Sequence, residues 1–326
     1  MTALPSPFLP STEPPPSGLG LVHEEGLSLR VTYDGRELTR YVYRPWDAQL
    51  ESPRPYFHPL HTLGGDLVSL YRPWDHVWHK GIAWSLPNIE TENFWGGTTY
   101  RRGIGYAQYD NDGSMDHETF EHLSLRQDVL RVAERLRWHT QAGEAWFAER
   151  RRFALTLLPG QDAWALLFET AMTNVRGRRT LIGSPTTEGR DNAGYGGLFW
   201  RGPRAFTGGR IHMPGRTGAD ELMGERAPWV AFTGQHDDHG RHSTLAFVDA
   251  PDNAERPTQW FVRSEMFACV CPAPFFSEEI PVEDGETLTR RYAVVIADGD
   301  RGLDGAEKLA LAGTEALAVL GEEWTA

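Results

Sequence analysis

Between Tyr56 and Tyr100 the chain concentrates residues that can do chemistry. It reads Tyr-Phe-His58-Pro-Leu-His61-Thr, then Asp75-His76-Val-Trp-His79-Lys-Gly, then Glu92-Asn-Phe-Trp95-Gly-Gly. Four of the twelve histidines fall between positions 58 and 79, among Trp74, Trp78, Trp84 and Trp95. Imidazoles supply acid, base or metal-ligand chemistry near neutral pH, and indoles supply flat faces on which a sugar ring can lie. The pairs His58/His61 and His76/His79 could converge on a divalent metal such as zinc if loops bring them together. They could equally act without metal in acid/base or binding roles, or only pack against the tryptophans. Neither pair forms the His-Glu-x-x-His helix of a metalloprotease. Along a strand, residues three apart face opposite sides, so both members of a pair reach one cavity only where the backbone turns.

Further carboxylates and cations lie downstream. Asp116 to His122 alternates like a strand, with Glu118, Phe120 and His122 on one face and His117 and Glu121 on the other. A Gly-rich polar loop at 186–197 brings Glu188, Arg190 and Asp191 together, and without Gly-Lys-Ser/Thr it is no phosphate loop. Arg256-Pro-Thr-Gln-Trp260-Phe-Val-Arg263 joins arginine to tryptophan, as sugar clefts and structural cation–π contacts both do. The loop His236-Asp-Asp-His239-Gly-Arg-His242 could hold a cation or be a hairpin tip. The catalytic candidates are therefore His76, His79, Glu118 and Glu188. His58, His61, Trp95, Arg190, Trp260 and Arg263 are the substrate-binding candidates.

The elements that must position these residues are strands. Leu27 to Tyr33, Asp34-Gly35 and Arg36 to Tyr43 predict a two-residue hairpin. Leu130, Val132, Leu136 and Trp138 alternate with arginines, and similar segments recur to Ala297. Helical periodicity is convincing only at the end, where Asp304 could cap a helix buried through Leu309, Leu317 and Leu320 and weakened by Gly313. Many strands without βαβ alternation predict one all-β antiparallel sandwich over residues 21–326, preceded by a flexible Pro-rich leader at residues 1–20.

Bulk properties exclude several classes. The net charge of −13 argues against a nucleic-acid surface and against an acidic membrane face. No apolar run approaches the roughly 18 residues needed to span a bilayer. Cys269 and Cys271, one residue apart, read as reduced thiols of a cytoplasmic protein. Oligomerisation stays open.

The quoted motifs, with Trp229-Val-Ala-Phe-Thr-Gly and the segment 249–263, resemble the so-called PmoA family, a bacterial family of unknown function whose name invokes a methane monooxygenase subunit. That subunit needs transmembrane helices, for which this chain has no segment. The resemblance implies an antiparallel β-supersandwich like that of galactose mutarotases, and relatives that accompany sugar-utilisation genes. In that fold the ligand lies on a concave sheet, where aldose mutarotases use a His acid and a Glu base. Many relatives carry two adjacent histidines where this chain has Trp78-His79, and the mutarotase Asn-His-Ser/Thr-Tyr-Phe segment is not present. The expectation is a carbohydrate-active enzyme, of epimerase, lyase or hydrolase type, using His/carboxylate acid–base chemistry on a sugar or glycoside. The alternatives are a non-catalytic carbohydrate-binding domain and a His-ligated metal-dependent oxygenase.

Overall fold

Alternation with period two builds two antiparallel sheets that stack face to face. The computed structural model describes residues 17–322 and 324. The first sheet has 11 strands, with the order Leu19–Glu24, Ser28–Tyr33, Arg36–Val42, Tyr56–Leu60, Ile82–Ile89, Gly197–Arg201, Cys269–Pro272, Trp260–Arg263 and three short strands at its side. The second has nine strands, running from Arg216–Gly218 through Arg210–Met213, Trp229–Gln235, His242–Asp249, Thr287–Asp298, Ala163–Asn174, Ala145–Leu158 and Val129–His139 to Ser114–Arg126. The all-β antiparallel sandwich with a C-terminal helix is thus found as expected. No helix among the described residues is long and apolar enough to cross a membrane.

Asp34 and Gly35 both have positive φ, 48° and 77°, which is the turn that the first hairpin's twist requires. Residues 1–16 of the expected leader lie outside the described residues. Leu19 and Gly20, assigned to that leader, instead begin the first strand and pair with Tyr33 and Thr32.

The main core lies between the sheets, where Trp84, Trp138, Trp164, Trp200 and Trp260 are fully buried. The helix Gly302–Ala316, with a further turn at Ala318–Gly321, covers the outer face of the nine-stranded sheet. Asp304 falls inside its first turn, and Arg301 is the N-cap. Gly313 does not weaken this helix's packing but permits it, because a Cβ there would lie 2.8 Å from Val295. The outer face of the 11-stranded sheet carries a separate aromatic cluster that includes Trp95, Phe199, Phe261 and Phe267.

Candidate functional site

A cavity of about 350 Å³ opens on that outer face. Its floor follows from strand alternation. Along Trp260–Arg263, Trp260 and Val262 enter the core, whereas Phe261 and Arg263 face the cavity. Register sets Phe261 opposite Cys271 and Arg263 opposite Cys269. From the other side, Arg201 also pairs with Cys269. Two arginines therefore flank one thiol across three strands. Both cysteines are free and buried, and burial pushes the Cys269 thiol up to about 12, so it is uncharged.

The histidine wall is made by a doubly turned loop. His76 N–H donates to Pro73 O at 3.0 Å, and His79 N–H donates to His76 O at 2.9 Å. These turns bring residues three apart onto one side, and the two imidazoles stack at 4.7 Å with planes 18° apart. Buried charges hold the loop. Arg54 donates to Trp78 O at 2.7 Å, while Lys80 pairs with Asp47 at 2.9 Å and with Glu51. Gly97, at φ 70°, lets the next loop approach, since a Cβ there would lie 2.7 Å from the Trp78 ring. Asn93 Oδ1 accepts from the N–H groups of Trp95 and Gly96 and so fixes Trp95 against the cavity.

A third segment completes the wall. Tyr195 and Tyr106 share a hydroxyl–hydroxyl bond of 2.9 Å. Arg190 donates to the Tyr106 hydroxyl and lies over the Tyr106 ring, 4.6 Å from its centroid.

Electrostatics set the protonation states. Burial holds the His79 imidazole well below its ordinary range, with His76 and the Arg201 charge adding to the effect. Burial also lowers His76, against the pull of Asp75. His76 Nδ1 lies 3.3 Å from Asp75 Oδ2 but is not aligned as a hydrogen bond. Both imidazoles are therefore neutral at pH 7. Arg201 is fully buried, packs 3.7 Å from the centre of the Phe267 ring, and leaves Nε and Nη2 without partners among the described residues.

Of the sequence candidates, His76, His79, Trp95, Arg190 and Arg263 line this cavity. The others are placed elsewhere. Trp260 is in the core and donates its indole N–H to Ala227 O at 2.8 Å, because it sits three residues from Arg263 on a regular strand. Glu118 is exposed on the edge strand of the other sheet, where it pairs with Arg137 at 3.1 Å. Glu188 lies outside the wall, with Oε2 3.4 Å from the Arg102 N–H. His58 stacks on Tyr71 and bonds Ser69 Oγ at 2.9 Å. His61 sits against Leu38, with which its N–H is bonded. No turn gathers that first pair into the cavity.

The four histidines form no metal-ligand group among the described residues. One such group is His236, Asp238 and His239, with ligand atoms within 4.8 Å of one another. There His239 Nε2 contacts Asp66 at 3.0 Å, and Arg241 grips the same carboxylate through two nitrogens. A guanidinium already supplies the positive charge.

Phe199, Phe261, Tyr106 and Tyr195 line the cavity without having been singled out. Phe261 was implied by its place beside Arg263 in the alternation. Arg201 was signalled only by a charge ending the apolar run Gly197 to Trp200.

Solved structures resemble the chain at low identity. An α-galactosidase of Geobacillus stearothermophilus in complex with raffinose matches at 10% identity and a TM-score of 0.40, over 90% of this chain and 41% of that one. An α-galactosidase of Lactobacillus brevis matches at 9% and 0.40, over 87% and 40%. A galactose mutarotase-related enzyme of Lactobacillus acidophilus matches at 10% and 0.34, over 87% and 99%. The chain spans about two fifths of the length of the two α-galactosidases. At these scores the likenesses carry no argument about function, which must rest on the cavity. No curated protein matches the chain. The PmoA name that the motifs suggested is not the one that emerges: a family model matches residues 28–311, and the chain belongs to DUF6807, a family of unknown function.

Proposed function

We propose that the cavity holds a small carbohydrate and that His76 moves a proton on it. One observation carries this reading: two neutral imidazoles and the indoles of Trp78 and Trp95 line one cavity of about 350 Å³. Aromatic walls suit the C–H face of a sugar, and a few convergent polar groups suit its hydroxyls. A neutral imidazole beside a carboxylate is a competent general base, and Asp75 stands 3.3 Å behind His76. A hydrogen bond across that pair needs only a small rotation of the imidazole, and catalytic hydrogen bonds commonly tighten when substrate binds. His79, with its Nδ1 occupied by Arg201, offers an Nε2–H donor to a hydroxyl or ring oxygen.

The second reading is a carbohydrate-binding site without catalysis. It is favoured because no Asp or Glu among the described residues lines the cavity, which leaves His76 without a carboxylic-acid counterpart in contact with ligand. Saturation-transfer NMR with a panel of neutral and acidic monosaccharides and glycosides tests the sugar site. Turnover of the bound members by the wild type and by His76→Gln separates the readings. Turnover lost in His76→Gln with ligand binding kept supports the enzyme. Binding without turnover in both proteins supports the second reading, and a panel that leaves no trace in the NMR defeats both.

A further inference from the structure

Charge in this cavity runs against the charge of the chain. The protein carries −13, yet among the described residues the lining contains Arg190 and Arg263 and no carboxylate. A local field of sign opposite to the net charge selects ligands of the other sign. Arg263 is held but not saturated. Its guanidinium makes no hydrogen bond among the described residues, and its one ion partner, Asp220, stands 3.7 Å away. Asp220 is held in place by its other oxygen, since Oδ1 accepts from the N–H groups of Ser264 and Glu265 at 2.5 and 3.2 Å while Oδ2 faces Arg263. The five N–H donors of Arg263 are thus largely free, over a floor of Phe261 and Cys269 that offers no competing charge.

Arg201 adds a second, independent observation. It is fully buried one layer behind His79 and Phe267, with Nε and Nη2 unpartnered and Asp75 only at 4.0 Å. A buried cation with idle donors is costly unless an anion comes close. Arg201 and Arg263 flank Cys269 on the same face, so the charge behind this wall is positive as well.

We infer that the carbohydrate held here is a sugar acid whose carboxylate is bound by Arg263 and balanced by Arg190. The inference rests on the proposed sugar site and narrows it. A carboxylate is preferred to a phosphate ester because Asp220 offsets part of the Arg263 charge, leaving a field suited to a monoanion. Tyr106 further ties up one donor of Arg190, and a planar carboxylate needs only one free guanidinium fork.

The test is calorimetric titration of matched pairs that differ only at the sugar's terminal carbon: glucose with glucuronate, galactose with galacturonate, mannose with mannuronate. The corresponding 6-phosphates and benzoate complete the set. At least one uronate should bind about tenfold or more tighter than its neutral partner, and the preference should shrink as salt rises from about 0.05 to about 0.5 M. Arg263→Gln should abolish the preference. Asp220→Asn keeps an oxygen for the Ser264 and Glu265 N–H groups and should instead strengthen uronate binding. That rise cannot come from misfolding.

Neutral sugars binding as tightly as their uronates would overturn the inference and leave the sugar site standing. Phosphates outbinding uronates would overturn the choice of carboxylate. Benzoate binding through Arg263 while no sugar binds would overturn the carbohydrate reading and the sugar-acid inference with it, keeping only the anion site. Silence from every ligand would overturn both.

Discussion

Nη1 of Arg201 lies 3.3 Å from Nδ1 of His79, and because a guanidinium only donates, the contact assigns His79 the tautomer with hydrogen on Nε2. The residue most exposed to suspicion as a catalytic acid is therefore a fixed neutral donor. Burial pulls Arg201 itself down to about 10, which still leaves it charged at neutral pH.

Nitrogen NMR should find His79 in that tautomer and still neutral at about pH 6.5, where an unperturbed histidine is half protonated. In Arg201→Met the tautomer constraint disappears, and the spectrum should show mixed Nδ1–H and Nε2–H forms. A His79 that protonates near pH 6.5 in the wild type would end the neutral-donor assignment.

The same physics gives a pH dependence at His58, which burial lowers from 6.5 to about 4. Its unfolded form binds a proton below about 6.5 while its folded form resists until about 4, so stability falls as pH falls across that window. Asp112, which burial raises to about 7, works in the opposite direction over much of the same range. The measurement is thus the difference between proteins. His58→Gln should show a shallower loss of melting temperature from about pH 6.5 to about pH 4 than the wild type. Equal slopes would mean that His58 is solvated when folded.

How far the site was legible in sequence depends on backbone geometry at each motif. Period-two alternation gave the sandwich and the first hairpin. That same alternation, applied strictly, already sent Trp260 inward, since three steps along a strand reverse the side. His76 and His79 share a wall because two successive turns undo that reversal, and although Pro73 and Asp75 allow a turn, nothing in Val-Trp-His announces the second. Glu118 illustrates the other limit. Its face on the strand depends on register shifts near Glu134 and Leu136, and its distance from the cavity depends on which sheet the strand joins. Neither is local information. Arg201 and Asp75 gain meaning only from the partners that folding brings to them.

Lys80 should prove to be a strut for the histidine wall. Its ammonium is buried between Asp47 and Glu51, and Arg72 reaches the same Glu51 at 2.7 Å. Removing one member of a buried ionic cluster strands the others, at a cost of about 3–5 kcal/mol. Lys80→Met should lose stability of that order in urea denaturation. A loss under about 1 kcal/mol, the level of surface pairs, would show the cluster to be solvated.

Glu118→Gln and Glu188→Gln should leave ligand binding and any turnover unchanged. Glu118 pairs with Arg137 in the open, where such substitutions stay within about 0.5 kcal/mol. Among the described residues the Glu188 carboxylate accepts from the Arg102 backbone N–H at 3.4 Å and from no other group. A tenfold loss of turnover in either variant, with the melting temperature unchanged, would return that carboxylate to the catalytic set.

Two tryptophans should separate fold from site. Trp260 is fully buried between the sheets with its indole N–H on Ala227 O, so Trp260→Ala should cost about 3–5 kcal/mol through the void and the orphaned carbonyl. Its ligand affinity, measured where the variant remains folded, should change little. Trp95 stands 4.7 Å from Tyr195 and 4.8 Å from Phe199, centroid to centroid, and lines the cavity. Trp95→Leu keeps most of the apolar volume but removes the flat face, so its stability loss should be the smaller of the two. Its sugar affinity should fall by about tenfold, the scale of one aromatic contact of about 1.4 kcal/mol. Calorimetry and urea melts on the two variants give the four numbers required. If Trp260→Ala weakens binding more than Trp95→Leu does, the ligand does not rest on the Trp95 wall, and the cavity assignment fails with it.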